Sequence, residues 1–223
     1  MQPVIRPYRP SDKDTVRALF TFSAHDQFRL SFNKAITSPL YLAITLALCV
    51  AGYLLGSVLG AVVLPGAWVG LVYSCCHETY VYYLRESLRT DMQDIAGNYM
   101  RTADECFWVA EAEVEGRAQI VGMVAVMAKQ SGKERYGELF RMVISPSCRR
   151  MGLGSKLAKT VINFCKERGF SKVVLDTTSP LAPAVALYKK LGFSHVNSHT
   201  ETVAPVWVVK LSRVTLLYME KHL

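Results

Sequence analysis

From Pro39 to Cys76 the chain carries no Asp, Glu, Lys, Arg or His. Leu, Ala, Val and Gly fill the run, with a few aromatics among them. At about 1.5 Å per residue, one helix of this length would measure roughly 57 Å, against roughly 30 Å of hydrocarbon in a bilayer. The run is too long for one ordinary span and long enough for two short ones. Gly56-Ser57, Gly60 and Pro65-Gly66 are the candidate breaks. A helix pair in a soluble core would keep a polar stripe, and this run has none. The expectation is an apolar helical hairpin in a membrane.

The flanks set its orientation. The preceding segment holds six Lys/Arg and three Asp, which is unlike a cleaved signal peptide. Arg29 and Lys34 lie before the run and Arg85 and Arg89 after it, so both ends prefer the cytosolic face. Tyr41, Trp68, Tyr73, Tyr80, Tyr82 and Tyr83 are candidates for interfacial belts, or for lipid-facing bulk in the case of Trp68. The spacing Gly52-x-x-x-Gly56-x-x-x-Gly60 suits close helix packing, inside the hairpin or between copies of the chain.

A second feature carries chemistry. Arg149-Arg150-Met151-Gly152-Leu153-Gly154 follows a strand-like run, Glu138–Ser145, and opens a helix-like run ending at Arg168. A strand, a short basic-glycine loop and a helix start together make an anion site, because first-turn N–H groups and the helix dipole point outward there. The glycines let the backbone approach a pyrophosphate, and Arg149 and Arg150 add charge. Thirty-odd residues on stands Ala186-Leu-Tyr-Lys-Lys-Leu-Gly-Phe193.

This pair of motifs resembles the GCN5-related N-acetyltransferases, whose acetyl-CoA loop reads Q/R-x-x-G-x-G/A and whose later helix ends in L-Y-x-x-x-G-F. Arg89-Thr-Asp-Met-Gln-Asp-Ile95, Phe107–Glu113 and Val174-Leu-Asp-Thr-Thr178 are similar to the membrane-bound, camello-like branch, which includes cysteine-S-conjugate N-acetyltransferases and is related to aspartate N-acetyltransferase. The resemblance implies an α/β (α+β) acyl-CoA N-acyltransferase fold: a mixed central sheet with flanking helices, plus an inserted transmembrane helical hairpin. It divides the chain into 1–37, the first strand (Val4–Arg9) and a helix capped by Ser11 and ending about Ala24; 38–84, the hairpin; and 85–223, the remainder. Two pieces of one domain must share a side of the membrane, so the insertion crosses an even number of times or dips and returns.

Along the rest of the chain, the pattern predicts helix from Tyr80 to Arg101 and strands at Phe107–Val114 and Ile120–Ala128, with a turn near Glu115-Gly116-Arg117. A polar loop follows over Gln130–Arg135, then the strand Glu138–Ser145 and the helix Gly152–Arg168. A strand at Lys172–Asp176, a helix at Ala182–Leu191 and strand-like runs at Val203–Leu211 and Val214–Tyr218 finish it.

Site roles follow from the resemblance. The backbone of Met142, Val143 and Ile144 would hold the pantetheine arm of acetyl-CoA. Arg149, Arg150, Met151, Gly152, Leu153, Gly154 and Ser155 would cradle its pyrophosphate. Tyr188 would donate to the leaving thiolate. Glu138 takes the place of a base glutamate eleven residues before Arg149, unless it is only a strand-edge carboxylate. Glu111 and Glu113 are weaker bases, and His195 and His199 could line the acceptor side. Many relatives carry Asn seven residues before the Tyr, whereas this chain has Leu181; Thr177, Thr178 or Ser179 would have to replace that hydrogen bond.

The net charge of +8 fits cofactor phosphates and an anionic membrane surface, and no basic-aromatic module points to nucleic acid. The six cysteines show no zinc or disulfide spacing, which fits a reducing, cytosol-facing domain with buried thiols; no metal is expected. The expected activity is transfer of acetyl from acetyl-CoA to an amphipathic small-molecule amine, first the α-amine of cysteine S-conjugates. Lysines of membrane or secretory proteins, or aspartate, are alternatives, the last needing a cation such as Arg141 or Arg101. A non-catalytic membrane adaptor is a remote one. The resemblance places the chain in the endoplasmic reticulum membrane, with oligomers through the hairpin left open.

Overall fold

A computed structural model describes residues 3–114 and 116–223. Their strands form one mixed sheet: β1 Val4–Pro7, β2 Cys106–Val114, β3 Arg117–Ser131, β4 Glu134–Ile144, β5 Lys172–Thr178, β6 Ser194–His199 and β7 Leu216–His222. The helices are α1 Lys13–Ile36, α2 Pro39–Leu54, α3 Val58–Arg89, α4 Ile95–Tyr99, α5 Leu153–Glu167, α6 Ala182–Lys190 and α7 Val206–Ser212. Strand order is β1-β2-β3-β4-β5-β7-β6. Only β4 and β5 pair in parallel; the other neighbours are antiparallel.

Period-two alternation sends β2 to both faces of the sheet. Trp108 and Ala110 join one core with Leu153, Leu157, Val161 and Cys165 of α5 and Tyr188 of α6. Phe107 and Val109 join the other with Val16 and Phe20 of α1, Ile95 and Tyr99 of α4, and Leu84 and Leu88 of α3. Each such side chain, fully buried, contributes about 1.5–3 kcal/mol. Helices therefore cover the sheet on both sides, as expected.

The apolar run folds as two helices against each other. The chain bends by 65° between α1 and α2. It turns again at Gly56, whose φ of +77° is open to glycine without strain. Ser57 then caps α3, its hydroxyl accepting from the Gly60 N–H at 3.1 Å. A Cβ on Gly52 would lie 2.4 Å from the Gly60 carbonyl carbon, so this glycine pair is spent inside the hairpin. Side chains on the outside are apolar and exposed, among them Leu46, Tyr53, Leu54, Leu55, Val58 and Leu59. α3 is long and apolar enough to cross a membrane. A third cluster, with Phe28, Tyr41, Val72, Cys76, Tyr80 and Val214, joins the hairpin's base to the domain.

Several sequence expectations are corrected. Gly60 and Pro65-Gly66 break nothing; Pro65 lies within α3. α1 runs on to Ile36 because Phe28, Ser31 and Ala35 keep burying a face past Ala24. Ser11 sits in a 3₁₀ turn instead of capping, and Asp12 there accepts from the Arg9 N–H and from Arg6. Helix does not persist from Tyr80 to Arg101: α3 ends at Arg89 and α4 is a separate turn. Gln130–Arg135 is the tight end of the β3–β4 hairpin, not a loop. The Val203–Leu211 run is mainly α7, because packing on α3 buries Val208, Val209 and Ser212 at helical spacing and overrides β-propensity. β6 reads Ser-His-Val-Asn-Ser-His and is almost wholly exposed, so it gives no apolar signal. Tyr41 and Tyr80 are buried, not interfacial, and Trp68 packs edge-on against Tyr41 at 5.0 Å. Glu115 of the expected turn lies outside the described residues.

Candidate active site

Among the described residues β4 and β5 pair where Gly137–Leu139 face Val173–Leu175. Beyond Leu139 the two strands part. Phe140–Ile144 keep β3 on one side and have no strand partner among the described residues on the other. A bulge drives the parting. Phe140 pairs with Ala125 and Val143 with Met123, so Arg141 and Met142 together face Val124. Arg141 adopts φ +51°, a left-handed conformation that non-glycine residues take at a cost. The result is a wedge with an open backbone edge on β4, containing Met142, Val143 and Ile144.

The outer end of the wedge is the basic-glycine loop. Gly152, at φ +79°, is the N-cap of α5, and no side chain caps that helix. The first-turn N–H groups, including those of Leu153, Gly154 and Ser155, therefore have no intrahelical acceptor. Leu153 is buried in the core, so its backbone alone can serve a ligand. A Cβ on Gly154 would stand 2.9 Å from Ile144 Cδ1 and 3.0 Å from Leu187 Cδ2. This glycine is what lets β4, α5 and α6 close around one point. Arg150 and Met151 are exposed. Arg149 is engaged: its Nε donates to the Ile144 carbonyl at 3.3 Å, and its guanidinium pairs with Asp26 of α1 at 2.5 Å. No local pattern announces that partner, which lies 123 residues away.

Tyr188 reaches the wedge from α6, its hydroxyl donating to Met142 Sδ at 3.4 Å. It is buried, with Phe193 packed edge-on at 5.6 Å. Burial pushes its phenol pKa up, so the proton stays on oxygen at neutral pH. Glu138 stands where the strands begin to part. Burial raises its carboxyl, Lys129 (3.7 Å away) pulls the other way, and Asp176 adds to the rise. Asp176 meets His199 Nε2 at 3.2 Å, while His195 Nε2 meets the Ser198 hydroxyl at 2.8 Å. Glu111 is held by Arg6 at 2.8 Å on the far side of β3, and Glu113 is also on β2, so neither reaches the wedge. Leu181 stands at the N-cap of α6. Behind it Thr177 is buried, and Ser179 is tied to Thr215 and Lys34.

The sequence also gives little hint of what Arg141 does. Its Nε and Nη2 each donate to Asp91 at 2.7 Å, and it also contacts the hydroxyls of Tyr83 and Tyr99. The guanidinium lies 5.2 Å from the ring centres of both Phe20 and Tyr83. Burial alone would raise the Asp91 carboxyl, but the Arg141 hydrogen bonds and charge overcome it and hold it low. A strained residue of the wedge is thus clamped by α1, α3 and the α3–α4 loop. The only signals were an arginine between Phe140 and Met142 and the Thr-Asp-Met stretch after Arg89.

Comparisons with known proteins agree with this geometry. The model of the Acetyltransferase (GNAT) family matches residues 71–193. The chain is 29% identical to human N-acetyltransferase 8B over 96% of its own length and 93% of that protein. It is 31% identical to the probable N-acetyltransferase camello of Xenopus laevis (85% and 84%), and 30% identical to human N-acetylaspartate synthetase (98% and 71%). A GNAT-family acetyltransferase from Staphylococcus aureus Mu50 shares the fold at a TM-score of 0.58 and 16% identity, over 99% of this chain and 98% of that one. The chain belongs to the GNAT acetyltransferase family, in the branch that holds the N-acetyltransferase 8 proteins, camello and N-acetylaspartate synthetase.

Proposed function

We propose that this N-acetyltransferase is anchored by its hairpin, residues 38–84, and moves acetyl from acetyl-CoA to the α-amine of cysteine S-conjugates. The catalytic part, residues 1–37 and 85–223, faces the cytosol, with the endoplasmic reticulum as its membrane. The observation that carries the reading is the wedge between β4 and β5, which has an open strand edge along one side, an uncapped helix at its outer end and Tyr188 against Met142. Those features fit acetyl-CoA. The β4 edge at Met142, Val143 and Ile144 supplies hydrogen bonds for the amide-bearing arm. Residues 149–155 supply N–H groups and charge for the diphosphate.

Acetyl-CoA brings the activated thioester. Glu138 takes the proton that the amine nitrogen loses as it bonds to the acetyl carbon. A free α-amine has a pKa of about 8, so a carboxylate suffices as base. Tyr188 donates a hydrogen bond to the departing sulfur. Its raised pKa makes full proton loss unfavourable, so it stabilises the thiolate rather than becoming a phenolate.

Two features support a lipophilic acceptor. The hairpin enters between α1 and the sheet-packing half of α3, so its base adjoins the domain core. Arg141, the cation an aspartate side chain would seek, already pairs with Asp91. The test is to incubate membranes carrying the protein with labelled acetyl-CoA and S-alkyl cysteines of increasing chain length, lysine peptides and aspartate. Label on the S-conjugates, with kcat/KM rising along the series, is expected. Flat kcat/KM across the chain lengths refutes the bilayer-delivered acceptor, and label on aspartate or lysine alone refutes the substrate class.

A further inference from the structure

α7 is short, and together with the turn before it presents a run of large apolar side chains outward. Val203, Val206 and Trp207 are 55%, 64% and 60% exposed, while Val208, Val209 and Ser212 behind them are buried. Large apolar side chains scattered singly on a surface need no explanation, but three within five residues form a patch.

The place of α7 identifies what covers the patch. Its C-terminal end is docked on the base of the hairpin. The Tyr41 hydroxyl donates to the Leu211 carbonyl at 2.9 Å, and Arg213 reaches the Ser38 hydroxyl at 3.4 Å while lying 5.4 Å from the Tyr41 ring centre. Ser212 lies against Cys76, and Val214 packs in the cluster of Val72 and Cys76. Pro39 and Cys76 are the two ends of the charge-free run, so α7 sits at the level where that run begins and ends. The exposed patch therefore stands on an element docked at the foot of α2 and α3, whose own outward surface is apolar and exposed. Charge points the same way. From Val203 to Arg213 the only charged residues are Lys210 and Arg213, both cationic and exposed. An apolar face beside cations is the pattern of a helix lying in a bilayer interface, its apolar side about 5–10 Å deep.

We propose that α7 is a second membrane contact, separate from the hairpin, with Val203, Val206 and Trp207 among the upper acyl carbons and Lys210 and Arg213 at anionic headgroups. This rests on the hairpin being embedded, and the experiment separates the two. Full-length protein is reconstituted in phosphatidylcholine–phosphatidylglycerol vesicles brominated either just below the headgroup or near the acyl terminus. The emission difference between wild type and W207F isolates Trp207 without touching a buried ring. The difference between L46W and wild type reports on α2, where Leu46 is exposed. Expected is Trp207 emission lowered about twofold by the shallow bromine and less by the deep one, as interfacial depth requires, with the Leu46→Trp reporter quenched more by the deep one. Quenching at position 46 without quenching of Trp207 overturns the α7 contact and leaves the hairpin reading standing. In that case a Trp207 signal that changes with protein-to-lipid ratio assigns the face to a second copy of the chain. No quenching at either place refutes both readings.

Discussion

In the proposed reaction two side chains meet the transfer chemistry, Glu138 from β4 and Tyr188 from α6, and their substitutions should be distinguishable. Glu138→Gln is expected to lower kcat/KM by about 10²–10⁴, the range for loss of a general base, and to abolish the acid limb of the pH profile. Its effect on stability has the opposite sign. Because burial raises the carboxyl in the folded protein, the fold holds that proton more tightly than the unfolded chain does. The resulting cost appears as pH rises past the ordinary carboxylate range. Glu138→Gln should therefore melt higher than wild type at neutral pH, with the gap closing in acid, as read by thermal denaturation at several pH values. Tyr188→Phe should reduce kcat about 10²-fold, the typical loss of one oxyanion-type donor, and leave the acid limb in place. Arg149 offers a third reading. Its pairing with Asp26 is partly exposed, so the carboxylate competes with any phosphate for that guanidinium. Asp26→Asn should lower the KM for acetyl-CoA, most clearly at low salt; an unchanged or higher KM would mean that Arg149 serves the fold alone.

Among the elements, the β4–loop–α5 unit is where local sequence and tertiary need coincide. Gly154→Ala would drive a methyl into Ile144 and Leu187. The atoms met are movable side-chain ends, so the overpacking costs about 1 kcal/mol, the low end of the usual range, and urea denaturation should show it together with a raised KM for acetyl-CoA. That unit was legible beforehand because its signals are short-range: a largely apolar strand-like run, a glycine pair, then an amphipathic helix with apolar residues at 153, 157, 161 and 165. The hairpin was legible for an equally local reason, since 38 residues without a charge leave few options. What escaped was set by contacts distant in sequence. α7 looked like a strand because its valines favour one in isolation, and α3 supplied the burial that made it a helix. β6 has polar side chains on both faces and owes its existence to pairing with β7. The Asp91–Arg141 clamp joins residues 50 apart through a bulge that no local pattern announces.

At the scale of the whole molecule, α3 unites the parts. It begins at the hairpin turn, passes the base where Val72 and Cys76 pack against Val214, and ends with Tyr83, Leu84 and Leu88 against the sheet and the Arg141 clamp. Its 32 residues span about 48 Å as one helix. One alanine inserted after His77 would rotate everything beyond it by about 100° relative to the hairpin. That variant should still enter membranes but lose most of its activity, as measured by acetyl transfer in washed membranes; full activity would mean that hairpin and sheet act independently.

A continuous helix between turn and wedge has a bearing on traffic. Because one helix, α3, runs from the apolar turn to the arginine of the wedge, an enzyme anchored as proposed would not nod freely on its stalk to sample the cytoplasm at every tilt. With its mouth held at one tilt to the lipid plane, such an enzyme would meet molecules skimming that plane at a constant angle, and those arriving from above would have to find the one approach left open.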